Sequence, residues 1–350
     1  MTYLLVLGGF LLLFFGGEAL VRGSVGVARK LGVSELIIGL TLVGFGTSMP
    51  EMVTTLRAVQ AGEVGLGLGN VVGSNIANIL LVVGMAAMLA PIVVSPRALG
   101  RDTLAMVLFT AAFILLAWFD LFTRPVGAVL VLAVLGYIVV SLLMDRGDQN
   151  AVGDMHREEA EMVEPGMPLA LALLFAVAGI AGVVFGAQFL VEGAVQLAEQ
   201  FGLSETVIGL TLVAIGTSLP ELATSIIAAT KGRSDVALGN ILGSNIFNLA
   251  GIVGVTALVH PFSTVAPVPQ AAPPLSVDPD TGMQIRVEQG FAELPVLAWE
   301  HIGALILATF LLVLFAFTGR KIARWEGIVL LGGYVLYLGM LFDFVPTPFS

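Results

Sequence analysis

The sequence predicts an all-α polytopic membrane protein, and three observations lead to that fold class. Hydrophobic residues make up 57% of the 350 residues, the mean hydropathy is +1.01, and charged residues contribute only 11%. The surface of a soluble domain is normally about a quarter to a third charged. Because so few charges cannot cover a water-facing surface, most of the apolar excess must face lipid. Length alone would allow two or three soluble domains, and this composition excludes them.

The charge balance and the cysteine content narrow the classes of partner. Lys and Arg number 15 against 25 Asp and Glu, which gives a net charge of -10. Binding to nucleic acid needs clustered basic residues, so we expect no nucleic-acid partner. The chain has no cysteine, which excludes disulfides, thiolate metal sites and cysteine nucleophiles. The expected partners are the lipid bilayer and inorganic cations, with no cofactor; the sequence identifies no protein partner.

Ten apolar segments are long enough to span a bilayer. The first has no basic residues before it and no clear cleavage site after it, which predicts a retained span rather than a signal peptide. The segments are residues 4 to 28, 36 to 60, 67 to 90, 102 to 119, 125 to 144, 168 to 198, 205 to 230, 236 to 259, 300 to 318 and 326 to 344.

Two polar stretches interrupt these segments. Residues 145–166 hold seven acidic side chains against two arginines, which is typical of a solvated connector. Residues 261–298 carry seven prolines and few apolar runs, which predicts an irregular loop or a small cap outside the membrane. We therefore divide the chain into a first five-helix unit at 1–144, the connector, and a second five-helix unit at 167–350.

The basic residues predict the orientation of the spans. With ten spans, twelve of the fifteen Lys and Arg residues fall on one side, and only Arg57, Arg124 and Arg286 fall on the other. Loops rich in Lys and Arg face the cytoplasm. Both termini and the proline-rich loop are therefore predicted to be extracytoplasmic, and the acidic connector is predicted to be cytoplasmic.

The chain contains an internal duplication. A shift of 170 residues aligns residues 34–78 with residues 204–248, and 24 of 45 positions are identical without a gap. The matches include Thr, Ser, Pro, Glu, Asn and Gly, which an apolar composition alone does not explain. The repeat unit is about five spans long. Because five is odd, equivalent helices cross the bilayer in opposite directions, an inverted repeat of the kind found in alternating-access carriers.

The most polar part of each copy lies midway along a span, in the motifs GFGTSMPE and AIGTSLPE. Pro50 and Pro220 lack a backbone N–H and clash with the preceding turn, so each helix should break or kink and release carbonyl oxygens. An ionised carboxylate at mid-membrane costs at least about 2.5 kcal/mol. Glu51 and Glu221 therefore need a compensating partner, which predicts a functional site at the two breaks.

Hydroxyl and amide side chains surround each glutamate at helical spacing. They are Thr47, Thr54, Ser74 and Asn78 for Glu51, and Thr217, Thr224, Ser244 and Asn248 for Glu221. All of these ligands are hard oxygens, which suit Ca²⁺ with its six to eight oxygens at about 2.3–2.6 Å. Two carboxylates balance either one Ca²⁺ or two Na⁺, so the two ions would compete and their movements would be coupled.

The two GTSxPE motifs, each followed by GNxxGSNxxN, resemble the alpha-repeats of the calcium/cation antiporter superfamily, in particular the bacterial and archaeal sodium/calcium exchangers. The resemblance covers nearly the whole chain. It implies exchange of Ca²⁺ for Na⁺ in a bacterial or archaeal plasma (inner) membrane, with the first and sixth spans sliding across the remaining bundle. It also implies that Glu51 and Glu221 bind both ions, and that Thr47 and Thr217 offer carbonyl oxygens to Ca²⁺. The implied sodium ligands are Ser48, Ser74, Ser218 and Ser244, with the carbonyls of Gly44 and Ala214.

One position departs from the family pattern. Sodium/calcium exchangers often carry an aspartate in one repeat where this chain has Asn78 and Asn248. The site therefore has one acidic side chain fewer than the site of those exchangers, which argues against potassium co-transport. Both asparagines are retained as candidate ligands through their amide oxygens.

Three other functions compete with sodium/calcium exchange. An intramembrane enzyme would need the pKa values of its acid and base to differ, whereas the duplication gives both glutamates similar surroundings, so we predict no enzyme. A cation channel and a proton-coupled antiporter for divalent cations stay open, although the GTSxPE form resembles the sodium-coupled branch. For Glu18 in the first span, we favour an ion pair with Arg22, four residues later, over a place in the ion path.

Overall fold

The computed structural model describes residues 2–96, 98–156, 167–200, 216–268, 276–277, 284–285, 292–295 and 299–341. In this part of the chain, seven helices are long and apolar enough to cross a membrane, or eight if one bent pair is counted as a single span. The fold is therefore that of a helical polytopic membrane protein. Two of the ten predicted spans are not among these helices.

The first half comprises α1 (Thr2–Leu31), α2 (Glu35–Thr47), α3 (Met49–Gln60), α4 (Val64–Leu89), β1 (Ile92–Val93), α5 (Leu99–Trp118) and α6 (Arg124–His156). The second half comprises α7 (Leu169–Gln200), α8 (Leu219–Thr230), α9 (Ser234–Val259), the short strands β2 (Val265–Val268), β3 (Ser276–Val277), β4 (Gln284–Ile285) and β5 (Ala292–Pro295), then α10 (Trp299–Phe317), β6 (Lys321–Ile322) and α11 (Arg324–Leu341).

The two predicted spans that are not among these helices have different explanations. The predicted span at 205–230 lies partly outside the described residues, and only its second part, α8, is described. The predicted span at 326–344 forms the 18-residue helix α11, which is less apolar than the others because its first turn carries Arg324 and Glu326.

The second predicted span is broken, as the sequence predicts, but the break lies before the proline. The axes of α2 and α3 differ by 46°. Ser48 lies between them with φ -87° and ψ 7°, and Pro50 occupies the first turn of α3. Proline is tolerated in a first turn, where its missing N–H has no helical partner to lose. Ser218 has nearly the same backbone angles before α8, which begins at Leu219 and also carries a proline in its first turn.

The helices α4 and α9 form the centre of the molecule. In their most apolar windows 78% and 83% of residues are buried, against 22–39% in the other spans. α9 packs against α2 at backbone distance: a Cβ on Gly239 would lie 2.5 Å from the Leu36 carbonyl oxygen, and one on Gly44 would lie 3.0 Å from the Ser244 nitrogen. Glycine at these positions therefore brings a helix of the second half against the broken span of the first.

The helices α1 and α7 pack against each other along much of their length. A Cβ on Gly16 would lie 2.8 Å from the Gly182 carbonyl carbon, and one on Gly9 would lie 2.8 Å from the Gly186 carbonyl oxygen. Such small residues let two helix backbones approach closely. The pair also contacts α8, so it lies next to one of the two helices that carry a glutamate.

Outside the spans, the structure differs from the predictions in two ways. The loops contain short strands that the all-α prediction did not include, in three antiparallel pairs: β1 with β6, β2 with β5, and β3 with β4. The last two pairs lie in the predicted proline-rich loop. Loop backbone away from lipid can satisfy its hydrogen bonds in such pairs. In addition, α6 continues past residue 144 to His156, so the first part of the predicted connector is helical.

The base of the proline-rich loop is tied to the turn between α5 and α6. Asp120 accepts hydrogen bonds from Ser263 Oγ at 2.7 Å and from the backbone nitrogen and Oγ1 of Thr264 at 2.5 and 2.9 Å. Its own backbone is left-handed, with φ 52°, a conformation that Asp tolerates better than most residues.

Candidate ion-binding site

The two broken motifs place one carboxylate each at the start of a helix. Glu51 lies in the first turn of α3 and Glu221 in the first turn of α8, and both side chains are fully buried. Backbone N–H groups in a first turn lack helical partners, and the helix dipole favours negative charge there. The breaks at Ser48 and Ser218 therefore create the positions at which a buried carboxylate is least unfavourable.

Hydrogen bonds connect Glu221 to both halves of the chain. Its Oε1 accepts a hydrogen bond from Ser48 Oγ at 3.0 Å and lies 3.5 Å from Ser244 Oγ. Ser244 Oγ also donates to the Gly44 carbonyl oxygen at 3.1 Å. Three predicted ligands from the first and second repeats thus meet around one carboxylate.

Glu51 has a different environment. Both of its carboxylate oxygens are buried and find no hydrogen-bond partner among the described residues, and the carboxylate experiences electrostatic repulsion from Glu221. The reciprocal bond from Ser218 is not made, since Ser218 Oγ is also buried without a partner in the described part of the chain. Buried polar atoms normally have partners, so among the described residues the Glu51 oxygens are available to a further ligand.

Further unpartnered polar groups lie on the helices that carry or pack beside the two glutamates. Among the described residues they include Glu221 Oε2, Thr224 Oγ1 and both amide atoms of Asn78 and of Asn248. Most of these atoms are oxygens. No cluster of three or more His, Asp or Glu side chains occurs in the same described ranges, so a cation here would depend on two carboxylates and neutral oxygens.

The other predicted ligands differ in how deeply they are buried. Thr47 is buried, and its Oγ1 lies 3.1 Å from the Val43 carbonyl oxygen and 3.2 Å from Asn240 Oδ1. Ser74 is buried on α4, whereas Thr217 is only partly buried and lines a cavity. Ala214 lies outside the described residues.

Two asparagines that the sequence reasoning missed hold the glutamate backbones. Asn70 Nδ2 donates to the Glu51 carbonyl oxygen at 3.3 Å and to Thr55 Oγ1 at 3.0 Å. Asn240 Nδ2 makes the equivalent contacts, with the Glu221 carbonyl oxygen at 3.4 Å and with Ser225 Oγ at 2.9 Å. Each is the first asparagine of GNxxGSNxxN and is identical in both copies, and that identity was the available signal.

A cavity of about 310 Å³ lies next to the site, on the side of Thr54 and Thr217. It is lined by Pro50 and Thr54 on α3, by Gln188 and Glu192 on α7, and by Thr217 and Pro220. Thr54 is exposed, whereas its repeat equivalent Thr224 is fully buried. The two copies are therefore alike in sequence but differ in the exposure of this threonine.

The Glu18 prediction is confirmed and extended. Glu18 pairs with Arg22 on the same helix at 3.4 Å and also with Lys231, which follows α8. The pair with Lys231 connects α1 to the end of α8, and none of the three residues lines the cavity at Thr54.

The structure thus places two fully buried carboxylates, Glu51 and Glu221, in the first turns of helices inside a helical membrane protein. A family model described as sodium/calcium exchanger protein matches residues 1–143 and 171–342. The chain therefore belongs to the sodium/calcium exchanger family, which confirms the resemblance carried by the two repeats.

Individual relatives agree with this assignment. The chain is 33% identical to the sodium/calcium exchanger MaX1 of Methanosarcina acetivorans, over 97% of this chain and 98% of the relative. It is also 33% identical to the inner membrane protein YrbG of Escherichia coli, over 98% and 97% of the two chains. Among solved structures, the sodium-calcium exchanger NCX_Mj matches with a TM-score of 0.75 and 29% identity, covering 97% of this chain and 98% of that chain. The protein is thus a multi-pass membrane protein of the antiporter type.

Proposed function

We propose that the protein is a secondary active antiporter that exchanges Ca²⁺ for Na⁺ by alternating access. The observation that carries the proposal is the pair Glu51 and Glu221, both fully buried, at helix breaks contributed by opposite halves of the chain. The names of MaX1 and NCX_Mj support sodium and calcium as the ions.

In this proposal both ions use one set of oxygens. Ca²⁺ takes the two carboxylates together with carbonyl oxygens of Thr47 and Thr217. Na⁺ takes hydroxyl and carbonyl oxygens next to the same carboxylates. The proposed sodium ligands are Ser48, Ser74, Ser218, Ser244, Gly44 and Ala214, with Asn78 and Asn248 as amide ligands.

The unpartnered oxygens of Glu51 support competition between the ions. A buried carboxylate without a partner is unfavourable, and one Ca²⁺ or two Na⁺ would each balance the charge of the pair. The Ser48 hydroxyl that now donates to Glu221 can turn to present its oxygen to an ion. If more than two Na⁺ are exchanged per Ca²⁺, the membrane potential contributes about 2.3 kcal/mol per charge per 100 mV.

The one-sided cavity supports alternating access. We propose ten spans in two inverted five-helix repeats, 1–144 and 167–350, joined by a cytoplasmic connector at 145–166. In support, Gly84 of α4 packs on Gly327 of α11, and Gly254 of α9, 170 residues after Gly84, packs on Gly127 of α6. The α1–α7 pair would slide so that the open path at Thr54 closes and the equivalent path at Thr224 opens. Both termini would lie outside a bacterial or archaeal plasma membrane.

Calcium flux into vesicles containing the purified protein tests this function. We expect an imposed sodium gradient to drive uptake, because both ions need the same carboxylates. Potassium and pH gradients should not replace it. Uptake driven by a pH gradient alone would indicate a proton-coupled antiporter, and uptake without any counter-gradient would indicate a channel; either result contradicts the proposal.

The same assay tests the two glutamates. Glu51→Gln and Glu221→Gln should each reduce sodium-driven uptake to background, because a neutral amide cannot balance the cation charge. Glu63→Gln, which alters an exposed acid after α3, is the matched control and should transport normally. Normal exchange in either site variant, with correct insertion shown by protease protection, would remove these carboxylates from the mechanism.

A further inference from the structure

A second cavity, of about 360 Å³, lies at the end of α1, away from the glutamates. Five of its lining side chains are basic: Arg22, Arg29 and Lys30 on α1, and Lys231 and Arg233 on the turn between α8 and α9. None of the described residues that line it is acidic. In a chain with a net charge of -10, this is a local concentration of positive charge with the opposite sign to the whole molecule.

The positive charge in this basic cavity is only partly compensated. Lys231 and Arg22 share the single carboxylate of Glu18, and Arg233 pairs with Glu35 at 2.8 Å. Arg29 and Lys30 are exposed and form no ion pair with any described residue. Five basic groups thus face two carboxylates, and the excess charge favours an anion.

The rest of the wall of the basic cavity is apolar. Val21 and Val25 of α1 and Met167, just before α7, line it beside the charged groups. The remainder of α1 presents large apolar side chains outward, with Phe14 and Phe15 59% and 62% exposed, so the bilayer lies alongside this helix. A ligand that fills both parts of the cavity needs a negatively charged head and a hydrocarbon chain.

We propose that the basic cavity binds the headgroup of an anionic phospholipid. The phosphate lies between Arg29, Lys30 and Arg233, and an acyl chain lies against Val25 and Met167. Basic pockets between spanning helices are suited to anionic lipid headgroups, because arginine and lysine pair with phosphate oxygens while the hydrocarbon remains in the bilayer. Inorganic phosphate would satisfy the charges but would leave the apolar wall uncovered.

The proposed lipid site lies where three parts of the chain that pack against one another meet. Its lining residues come from α1, from the start of α7 and from the turn after α8. A bound lipid therefore contacts the α1–α7 pair and the helix that carries Glu221. This binding proposal does not depend on which ions the protein transports.

The test uses the purified full chain in detergent. Its thermal unfolding midpoint is measured with a phosphatidylglycerol, with a phosphatidylcholine of the same acyl chains, and with inorganic phosphate alone. We expect phosphatidylglycerol to raise the midpoint more than either of the others, because it binds the folded state preferentially. Native mass spectrometry should show phosphatidylglycerol retained in preference to phosphatidylcholine, a readout that needs no variant.

Variants test whether the rise in the unfolding midpoint depends on the basic cavity. The double variant Arg29→Gln/Lys30→Gln should lose most of the shift specific to phosphatidylglycerol, whereas Arg29→Lys/Lys30→Arg should keep it. The control Arg57→Gln/Lys321→Gln removes two exposed basic charges elsewhere and should also keep it.

Three results would overturn the lipid site. An equal effect of both lipids on the wild type would mean that another group, such as the acidic connector, compensates the cavity. An equal effect of inorganic phosphate would mean that the apolar wall has no role. Equal losses in the Arg29/Lys30 variant and in the control would mean that the lipid responds only to overall surface charge.

Discussion

At the scale of single residues, the two duplicated glutamates are not equivalent in this structure. Glu221 accepts a hydrogen bond from Ser48, whereas both Glu51 oxygens are without a partner among the described residues. The difference lies in one serine per motif: Ser48 reaches the glutamate of the other repeat and Ser218 does not. The two matched GTSxPE motifs therefore have different local hydrogen bonding among the described residues.

This difference predicts unequal effects of one substitution at two matched positions. Ser48→Ala removes a hydrogen bond to a buried carboxylate, which should lower the free energy of unfolding without ions by about 1.5–3 kcal/mol. Ser218→Ala removes a buried hydroxyl that has no described partner, so it should cost less or be neutral. Denaturant titrations in calcium-free and sodium-free buffer measure both. Equal losses of stability would contradict the asymmetry.

At the scale of elements, close packing of α1 on α7 decides which glycines can be changed. A side chain at Gly16 would meet the backbone of Gly182, whereas a Cβ at Gly8 on the same helix would meet nothing within 4 Å. The two glycines are therefore a matched pair, one at a helix interface and one facing open space.

We expect Gly16→Leu to separate α1 from α7 and to destabilise the protein by at least about 1–3 kcal/mol, the usual cost of overpacking. It should also slow exchange, because the pair no longer moves as one unit. Gly8→Leu should leave folding and transport unchanged. Thermal unfolding and sodium-driven calcium uptake provide the readouts, and a Gly16 variant that behaves like the Gly8 variant would show that the contact is not important.

The anchor of the proline-rich loop predicts a dependence on pH. Burial alone would raise the pKa of Asp120, but hydrogen bonds from Ser263 and Thr264 outweigh it and lower the pKa below its usual value. A carboxylate with a lowered folded pKa contributes stability above its unfolded pKa, about 3.9, and that contribution is lost as the pH falls below this value.

The fall in stability from pH 6 to pH 3 should accordingly be smaller in Asp120→Asn than in the wild type. Asparagine keeps the tolerance for a left-handed backbone, so the comparison isolates the charge. Thermal unfolding across this pH range measures the difference, and parallel curves for the two proteins would rule out Asp120 as an anchor.

At the scale of the whole molecule, the sequence predicts the features that depend on apolar length and on the internal duplication. Apolar length predicts most of the spans, and the repeated polar motif predicts that Glu51 and Glu221 are central. The break falls at Ser48 rather than at the proline, because a proline near a helix start is compatible with the helix that follows. Sequence alone also could not show which of these two threonines is exposed, since Thr54 and Thr224 occupy equivalent places in the two repeats.

Other features depend on contacts between distant segments, which no local pattern encodes. The asparagines Asn70 and Asn240 hold glutamate backbones 19 residues away, and their role appears only when the helices are packed. The pairing of β1 with β6 joins loops from the two halves. The basic residues of the cavity come from α1 and from the turn after α8, about 200 residues apart in the chain, so the sequence showed them only as scattered arginines and lysines.

The central claim is that one pair of carboxylates serves both ions, and equilibrium calcium binding at increasing sodium concentration tests it most directly. The account predicts that sodium lowers the calcium affinity steeply, roughly as the square of its concentration, because two monovalent ions balance the charge of one Ca²⁺. Glu51→Gln and Glu221→Gln should abolish high-affinity calcium binding altogether. Calcium binding that is indifferent to sodium, or that survives in either variant, would contradict the account.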